Sequence, residues 1–249
     1  MIRHGIFDYK IETAGVSATG GTVTYDGDYA IHTFDSSGYF ISNLESIDVS
    51  ILIVGGGSRT IKYNGDPQDL DYRGGGGGGE VIEDSSILLK GVYDIVIGKG
   101  GYYTLGKNTY SGQNSSFENI IAKGAPAPPL YSFSGDGADS GSGYSGGVRA
   151  EKYPGSPNGA GGGGAGAGGD GFNAADHLHG GNGGAGITSQ ITGYLYGGGG
   201  GGTGNYNGAN VDSSAGGGAH GNHSGADYNG QNGIVVIKYK YKWLTTNDL

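Results

Sequence analysis

The stretch Gly155–Gly233 contains GAGGGGAGAGGDG, HGGNGGAG, YGGGGGGTG and SAGGGAHG, and it runs straight into IVVIKYKYKW, Ile234–Trp243. The second piece has the composition of a β-strand. Val235, Ile237, Tyr239, Tyr241 and Trp243 fall on one face, and Lys238, Lys240 and Lys242 fall on the other. The lysine face reads as solvent-facing and suits a protected sheet edge. A strand placed beyond so much glycine gives two ways to read the tract. Either it is a flexible tether, or it is folded and returns the chain to a sheet begun earlier. The return strand favours the second reading, because it pins both ends of the tract to one β-structure.

Folded glycine needs partners for its backbone. A left-handed threefold helix of the polyproline type has no internal hydrogen bonds. Glycine at the contact positions lets such rods approach closely, and their N–H and C=O groups then bond to neighbouring rods. The runs Gly161–Gly169, Gly180–Gly186, Gly197–Gly202 and Gly216–Gly218 have suitable lengths and are separated by polar and aromatic loops. Ordering that much glycine is entropically costly, so such a lattice has to form cooperatively.

Upstream, the chain reads as β. Thr22–Tyr25 and Tyr29–Phe34 flank Asp26-Gly27-Asp28, a hairpin signal. Ser36-Ser37-Gly38 predicts a turn before a strand at Tyr39–Ile41, and Val49–Val54 predicts a buried strand. Glu80–Ile82 is a short strand. Ile87–Leu89 and Tyr93–Ile97 flank a turn at Lys90-Gly91, and Phe117 with Ile120-Ile121 adds another short strand. Strand signals spaced about ten residues apart indicate a sandwich rather than βαβ units. ILIVGGG, ending at Gly57, imitates a dinucleotide-binding βα start, but the following SRTIKYNGDPQDLDYR has no helical period.

The expected fold is all-β: an antiparallel β-sandwich with an inserted glycine-rich polyglycine II helix bundle. The expected organisation is an N-terminal arm or attachment segment at 1–17, the sandwich at 18–124, and the glycine-rich region with Tyr/Ser/Asn loops at 125–233. The return strand occupies 234–243 and a tail 244–249.

Composition excludes several function classes. Of 249 residues 60 are Gly, but Pro is only 6 and there is no Gly-X-Y period, so collagen is excluded. With Cys at 0 there is neither a disulfide framework nor thiol chemistry. A net charge of -9 without a basic cluster argues against nucleic acid. No run approaches the about 20 apolar residues that a membrane-spanning helix needs, and MIRHGIFDYK lacks the apolar core of a secretory signal. No nucleophile elbow, HExxH or defined carboxylate pair is present, so no catalytic residues and no cofactor are expected.

Binding is the remaining chemistry. Loops rich in Tyr, Ser, Gly and Asn resemble antibody paratopes in composition, and tyrosine faces also stack on sugar rings. The candidate receptor-binding residues are Tyr131, Phe133, Tyr144, Tyr153, Tyr194, Tyr196, Tyr206 and Tyr228. Some of these are expected to fill the core instead. His177, His179, His220 and His223 form weak candidates for a metal, with Asp176 or Asp227 nearby, but exposed loop histidines are the preferred reading of these residues and no metal is expected. Asp66, Asp69 and Asp71 cluster without EF-hand spacing and read as a solvated acidic turn.

The ordered pieces TGGTVTYDGDYAIHTFDSSGYF, VSILIVGGG, GGGGGGE, YDIVIGKGG, NSSFENIIAKG and NGIVVIKY together resemble the glycine-rich domain of bacteriophage tail-fibre and related virion proteins. They run from about residue 19 to 241. The resemblance implies a β-sandwich carrying polyglycine II helices, with variable loops in contact with a receptor. It implies a structural, non-enzymatic protein exposed on a virion tail or fibre and made in the host cytoplasm. Expected partners are other virion structural proteins and a bacterial surface glycan or outer-membrane protein, with no nucleic acid and no membrane insertion. A homotrimer is one assembly fibres use, although no heptad or collagen-like trimerisation motif is present. A capsid or tail decoration protein is the alternative, and a tail-associated polysaccharide depolymerase a third reading.

Overall fold

The structure is a computed structural model that describes residues 17–60, 73–104, 107–128, 135–153, 159–219 and 229–241. Its strands are β1 (Ala18–Thr19), β2 (Thr22–Asp26), β3 (Tyr29–Phe34), β4 (Gly38–Val54), β5 (Val81–Val96), β6 (Tyr102–Thr104) and β7 (Lys107–Thr109). They continue with β8 (Ser115–Phe117), β9 (Ile120–Ala122), β10 (Ala150–Glu151), β11 (Gly159–Ala160), β12 (Ile187–Thr188), β13 (Leu195–Tyr196) and β14 (Ile234–Lys240). Every ladder is antiparallel. Among the described residues the main sheet has eight strands in the order β2-β3-β14-β4-β5-β8-β9, with β1 paired to β4.

Two long strands shape this sheet. Sequence predicts separate strands at Tyr39–Ile41 and Val49–Val54, and again at Ile87–Leu89 and Tyr93–Ile97. The structure corrects both: each pair belongs to one continuous strand, β4 or β5, with Ile97 one residue past the end of β5. The Lys90-Gly91 turn signal marks a corner instead, where the β4–β5 register shifts between Ser42 and Ser46. An irregularity of this kind bends a strand pair without breaking it, so one pair can serve two layers. Gly91 faces Ser42 at the corner. Beside it, the Tyr93 hydroxyl donates to Leu89 O and accepts from Leu89 N, both at 2.9 Å.

The bend brings the two parts of the sheet face to face. Phe40 on the first half of β4 packs 6.2 Å, ring to ring, from Tyr239 on β14 and 5.1 Å from His32 on β3. Phe40, Ile51, Ile53, Val235, Ile237 and Phe117 are buried in this core. A fully buried side chain of this kind contributes about 1.5–3 kcal/mol. A second cluster, Leu52, Val54, Val236, Tyr196 and Ala215, covers the opposite face where the sheet meets the glycine tract. Burial on both faces explains why Ile51–Val54 and Ile234–Ile237 are unbroken apolar runs rather than alternating ones.

The return strand is therefore not an edge. β14 lies between β3 and β4, pairing Val235 with Phe34 on one side and with Ile53 on the other. Val236 on the predicted lysine face is buried, and Lys238 places its Nζ 4.9 Å from the centre of the Tyr29 ring.

The described residues contain no helical element. The glycine tract consists of extended segments joined by backbone hydrogen bonds. Around Gly74–Gly79 the contacts repeat every third residue. An added Cβ would meet Asp136 O at Gly74 and Asp139 O at Gly77; Gly200 O at Gly75 and Gly197 O at Gly78; Ser58 O at Gly76 and Gly55 O at Gly79. The hydrogen bonds keep the same step: Gly75 N and Gly78 N donate to Gly162 O and Ala165 O, and Gly76 N and Gly79 N donate to Ala219 O and Gly216 O. The network is not confined to 125–233, because Gly55–Ser58 and Gly74–Gly79 are part of it. Backbone pairing needs close approach, not a long glycine run.

Candidate functional site

The glycine segments run back and forth between a near end at the sheet and a far end. At the near end, Gly55 N donates to Glu80 O and Gly233 N to Gly98 O. At the far end, Arg59 N donates to Tyr110 O, Gly161 N donates to Thr203 O, and Thr203 N donates to Arg73 O while Arg73 N donates back to Thr203 Oγ1. The position of each candidate aromatic follows from where its connection falls along this axis.

Tyr206 follows Thr203 and so lies at the far end, 64% exposed. Its loop is held by main chain. Tyr206 N donates to Leu178 O at 3.0 Å and Gly180 N donates to Tyr206 O at 2.9 Å, bridging two far-end connections. Asn207 Oδ1 accepts from Gly204 N inside the loop. The Tyr206 ring stacks on the His179 imidazole at 4.8 Å between centroids and 13° between planes.

His179 is held in turn by Asp176. Its Nδ1 sits 2.8 and 2.9 Å from the two carboxylate oxygens, and Asp176 Oδ1 also accepts from the backbone N–H of Leu178 and His179. This is the local turn chemistry expected of an aspartate followed by free amides. The His179 hydrogen bond, then the Leu178 amide, hold the Asp176 carboxyl below the usual carboxylate range. With Nδ1 committed to the carboxylate, Nε2 is the nitrogen left for a partner outside the pair. The result is an exposed aromatic platform with a carboxylate beside it, suited to stacking and polar recognition.

The other candidates disperse. Tyr153 is 58% exposed and lies just beyond β10, at the far end. Tyr144 and Tyr194 are exposed but lie at near-end turns. Tyr144 closes a turn on Ser140, and Tyr194 closes one on Ser189, whose hydroxyl donates to Glu83 on β5. Tyr196 is only 2% exposed and packs with Leu52, Val54 and Val236, so the structure removes it from any receptor surface. Burial pushes its phenol pKa up, and the hydroxyl pairs with Thr192 Oγ1 at 3.1 Å. Tyr131, Phe133, Tyr228, His220, His223, Asp227 and the Asp66, Asp69 and Asp71 cluster lie outside the described residues.

His177 is half-buried near His179 in sequence, but among the described residues no group of three or more His, Cys, Asp or Glu is gathered as a metal site. No described helix is long and apolar enough to cross a membrane, which leaves strands unaddressed. Residue types alone did not reveal the Tyr206–His179 stack, because its partners are 27 residues apart and only the folding of the tract joins them. The readable signal was the Asp176 turn, with its amides two and three residues on.

A family model described as a glycine-rich domain matches residues 35–240. Among curated proteins, none matches this chain. The chain belongs to the glycine-rich domain family.

Proposed function

Taking membership of the glycine-rich domain family as the premise, we propose that the protein is a structural, non-enzymatic component of a bacteriophage virion. In this reading it is a tail-fibre or receptor-binding protein that presents loops to the host surface. The glycine tract would be a polyglycine II lattice serving as rigid scaffolding. The three-residue step of the contacts and hydrogen bonds around Gly74–Gly79 supports that, because a threefold rod returns each residue to the same neighbour every third position.

The observation that carries the functional reading is the far-end platform. The Tyr206 ring is exposed, stacked on one face by His179, and anchored through its own backbone N–H and C=O, which bond Leu178 and Gly180. A ring fixed in this way offers contact area while losing little rotamer entropy on binding. The partner is a bacterial surface glycan or the exposed part of an outer-membrane protein, and the protein sits at the particle surface beside other virion proteins.

The test is adsorption of the protein, within its particle, to host cells. Tyr206→Ala and His179→Ala should each weaken binding at least about fivefold, the roughly 1 kcal/mol that sets an energetically important interface residue apart from its neighbours. Unchanged adsorption for both variants and for Tyr153→Ala would remove the receptor-binding role.

A further inference from the structure

A groove of about 400 Å³ opens on the flank of the β-structure, apart from the far-end loops. It forms where β1 leaves β4. The two strands pair only at Ala18↔Ser42 and Thr19↔Ile41. Gly20 and Gly21 then take φ of 113° and 62° and turn the chain towards β2. Only glycine adopts that pair of angles readily, and a Cβ on Gly20 would lie 2.1 Å from Tyr39 O. The turn leaves the Gly38–Tyr39 start of β4 without a β1 neighbour, and the groove lies against it.

The lining mixes apolar Phe34 and Ile41 with polar groups. Thr22, Thr33, Ser36 and Ser37 supply hydroxyls, Asp35 supplies a carboxylate, and Tyr39 supplies a ring that is 58% exposed. Ser36 donates to Asp35 Oδ1 at 3.2 Å, and Ser37 Oγ accepts from Ile97 N at 3.0 Å, so both hydroxyls are oriented by the protein. Among the described residues, no Lys, Arg or His lines the groove. Hydroxyls with a carboxylate match the vicinal diols of a sugar, and an aromatic face matches its C–H face. The negative charge of Asp35 disfavours sialic acids and phosphorylated sugars. The volume is at the small end of ligand sites, which fits one or two sugar rings rather than a peptide or a membrane.

We propose that this groove is a second binding site, for a neutral pyranose unit of a surface glycan, with Tyr39 as the stacking face and Asp35 as the acceptor for paired sugar hydroxyls. It shares a ligand class with the far-end reading but does not rest on the same residues.

The test uses the whole chain, isotopically labelled, titrated with methyl hexopyranosides of the gluco, galacto and manno series and with N-acetylneuraminic acid, and followed by amide chemical shifts. At least one neutral sugar should shift Gly20–Thr22 and Thr33–Ile41 saturably, with N-acetylneuraminic acid weaker. Tyr39→Ala should weaken that titration roughly three- to tenfold. Asp35→Asn, which keeps the volume, should weaken it too. Both residues are exposed, so folding is preserved, and unshifted core resonances check this. Tyr206→Ala should leave the groove titration unchanged. No saturable shift at the groove with any neutral sugar, or equal titrations for wild type and Tyr39→Ala, overturns the proposal. Shifts at Tyr206 and Tyr153 alone would overturn the groove while supporting the far-end platform.

Discussion

A methyl group added to Gly75 would place its carbon 1.8 Å from the carbonyl oxygen of Gly200, and the obstacle is backbone rather than a movable side chain. Gly38, in contrast, has open space where a Cβ would stand. Gly75→Ala should therefore destabilise the protein by about 3 kcal/mol or more, at or beyond the top of the usual overpacking range. Gly38→Ala should fall within about 0.5 kcal/mol of wild type. Denaturant unfolding of the two variants side by side measures the contrast. His32 gives a second prediction at this scale. Its Nδ1 lies 2.7 Å from Gly20 O and must donate, which leaves Nε2 to accept from the Tyr239 hydroxyl at 3.1 Å. The ring is held neutral, and burial is the main reason its pKa is lowered. The unfolded chain takes up this proton near pH 6.5 while the native one resists, so stability is complete above that pH and declines as pH falls below it. Thermal unfolding between pH 8 and pH 5 (about the span over which histidine titrates) should show that decline. His32→Gln should be less stable at pH 8 but flatter with pH.

At the scale of elements, the Tyr93 side chain is one of the groups that hold the corner in β4 and β5. Tyr93 bonds the Leu89 main chain with its hydroxyl and stacks its ring on Phe117 at 5.8 Å. Tyr93→Phe keeps the stack and removes the hydroxyl, so it should cost about 0.5–1 kcal/mol of unfolding free energy, with the fold intact by circular dichroism. This corner also shows where sequence reading stops. The β2–β3 hairpin was legible, since Asp26-Gly27-Asp28 is strong turn chemistry, and Asp26 does face Tyr29 across it. Lys90-Gly91 carries the same kind of signal but sits in a strand, because its pairing partner bends with it. Local composition marks where a chain can deviate and does not say whether the ladder survives. Likewise IVVIKY was legible as a strand. Its interior place was not, because the alternating lysines give no hint that Val236 would be covered by Tyr196 and Ala215.

Across the whole molecule, the glycine segments and the sheet behave as one network of amide pairings. The segments around 55–58, 74–79, 162–165, 197–200 and 216–219 have N–H groups donated to neighbouring segments. Amides of that kind exchange only when the network opens. Hydrogen exchange should therefore show Gly75, Gly76, Gly78 and Gly200 protected to the same degree as Ile51 and Ile237 of the sheet. Fast exchange in those glycines alongside a protected sheet would disprove the rigid lattice. The folded character of the tract could be argued from its return strand, and all-β architecture from strand spacing. The meeting of Tyr206 with His179, and the burial of Tyr196, depend on which segments become neighbours, and runs of glycine look alike whichever neighbour they choose.

The position of β14 between β3 and β4 sets a timetable for synthesis. Residues up to 233 can leave the ribosome while the slot between the two earlier strands is still vacant, and two rows of main-chain groups wait there for the strand that fills them. Translation thus outruns assembly: a nascent polypeptide stopped short of Lys240 would expose sticky margins to proteases and to other copies of itself.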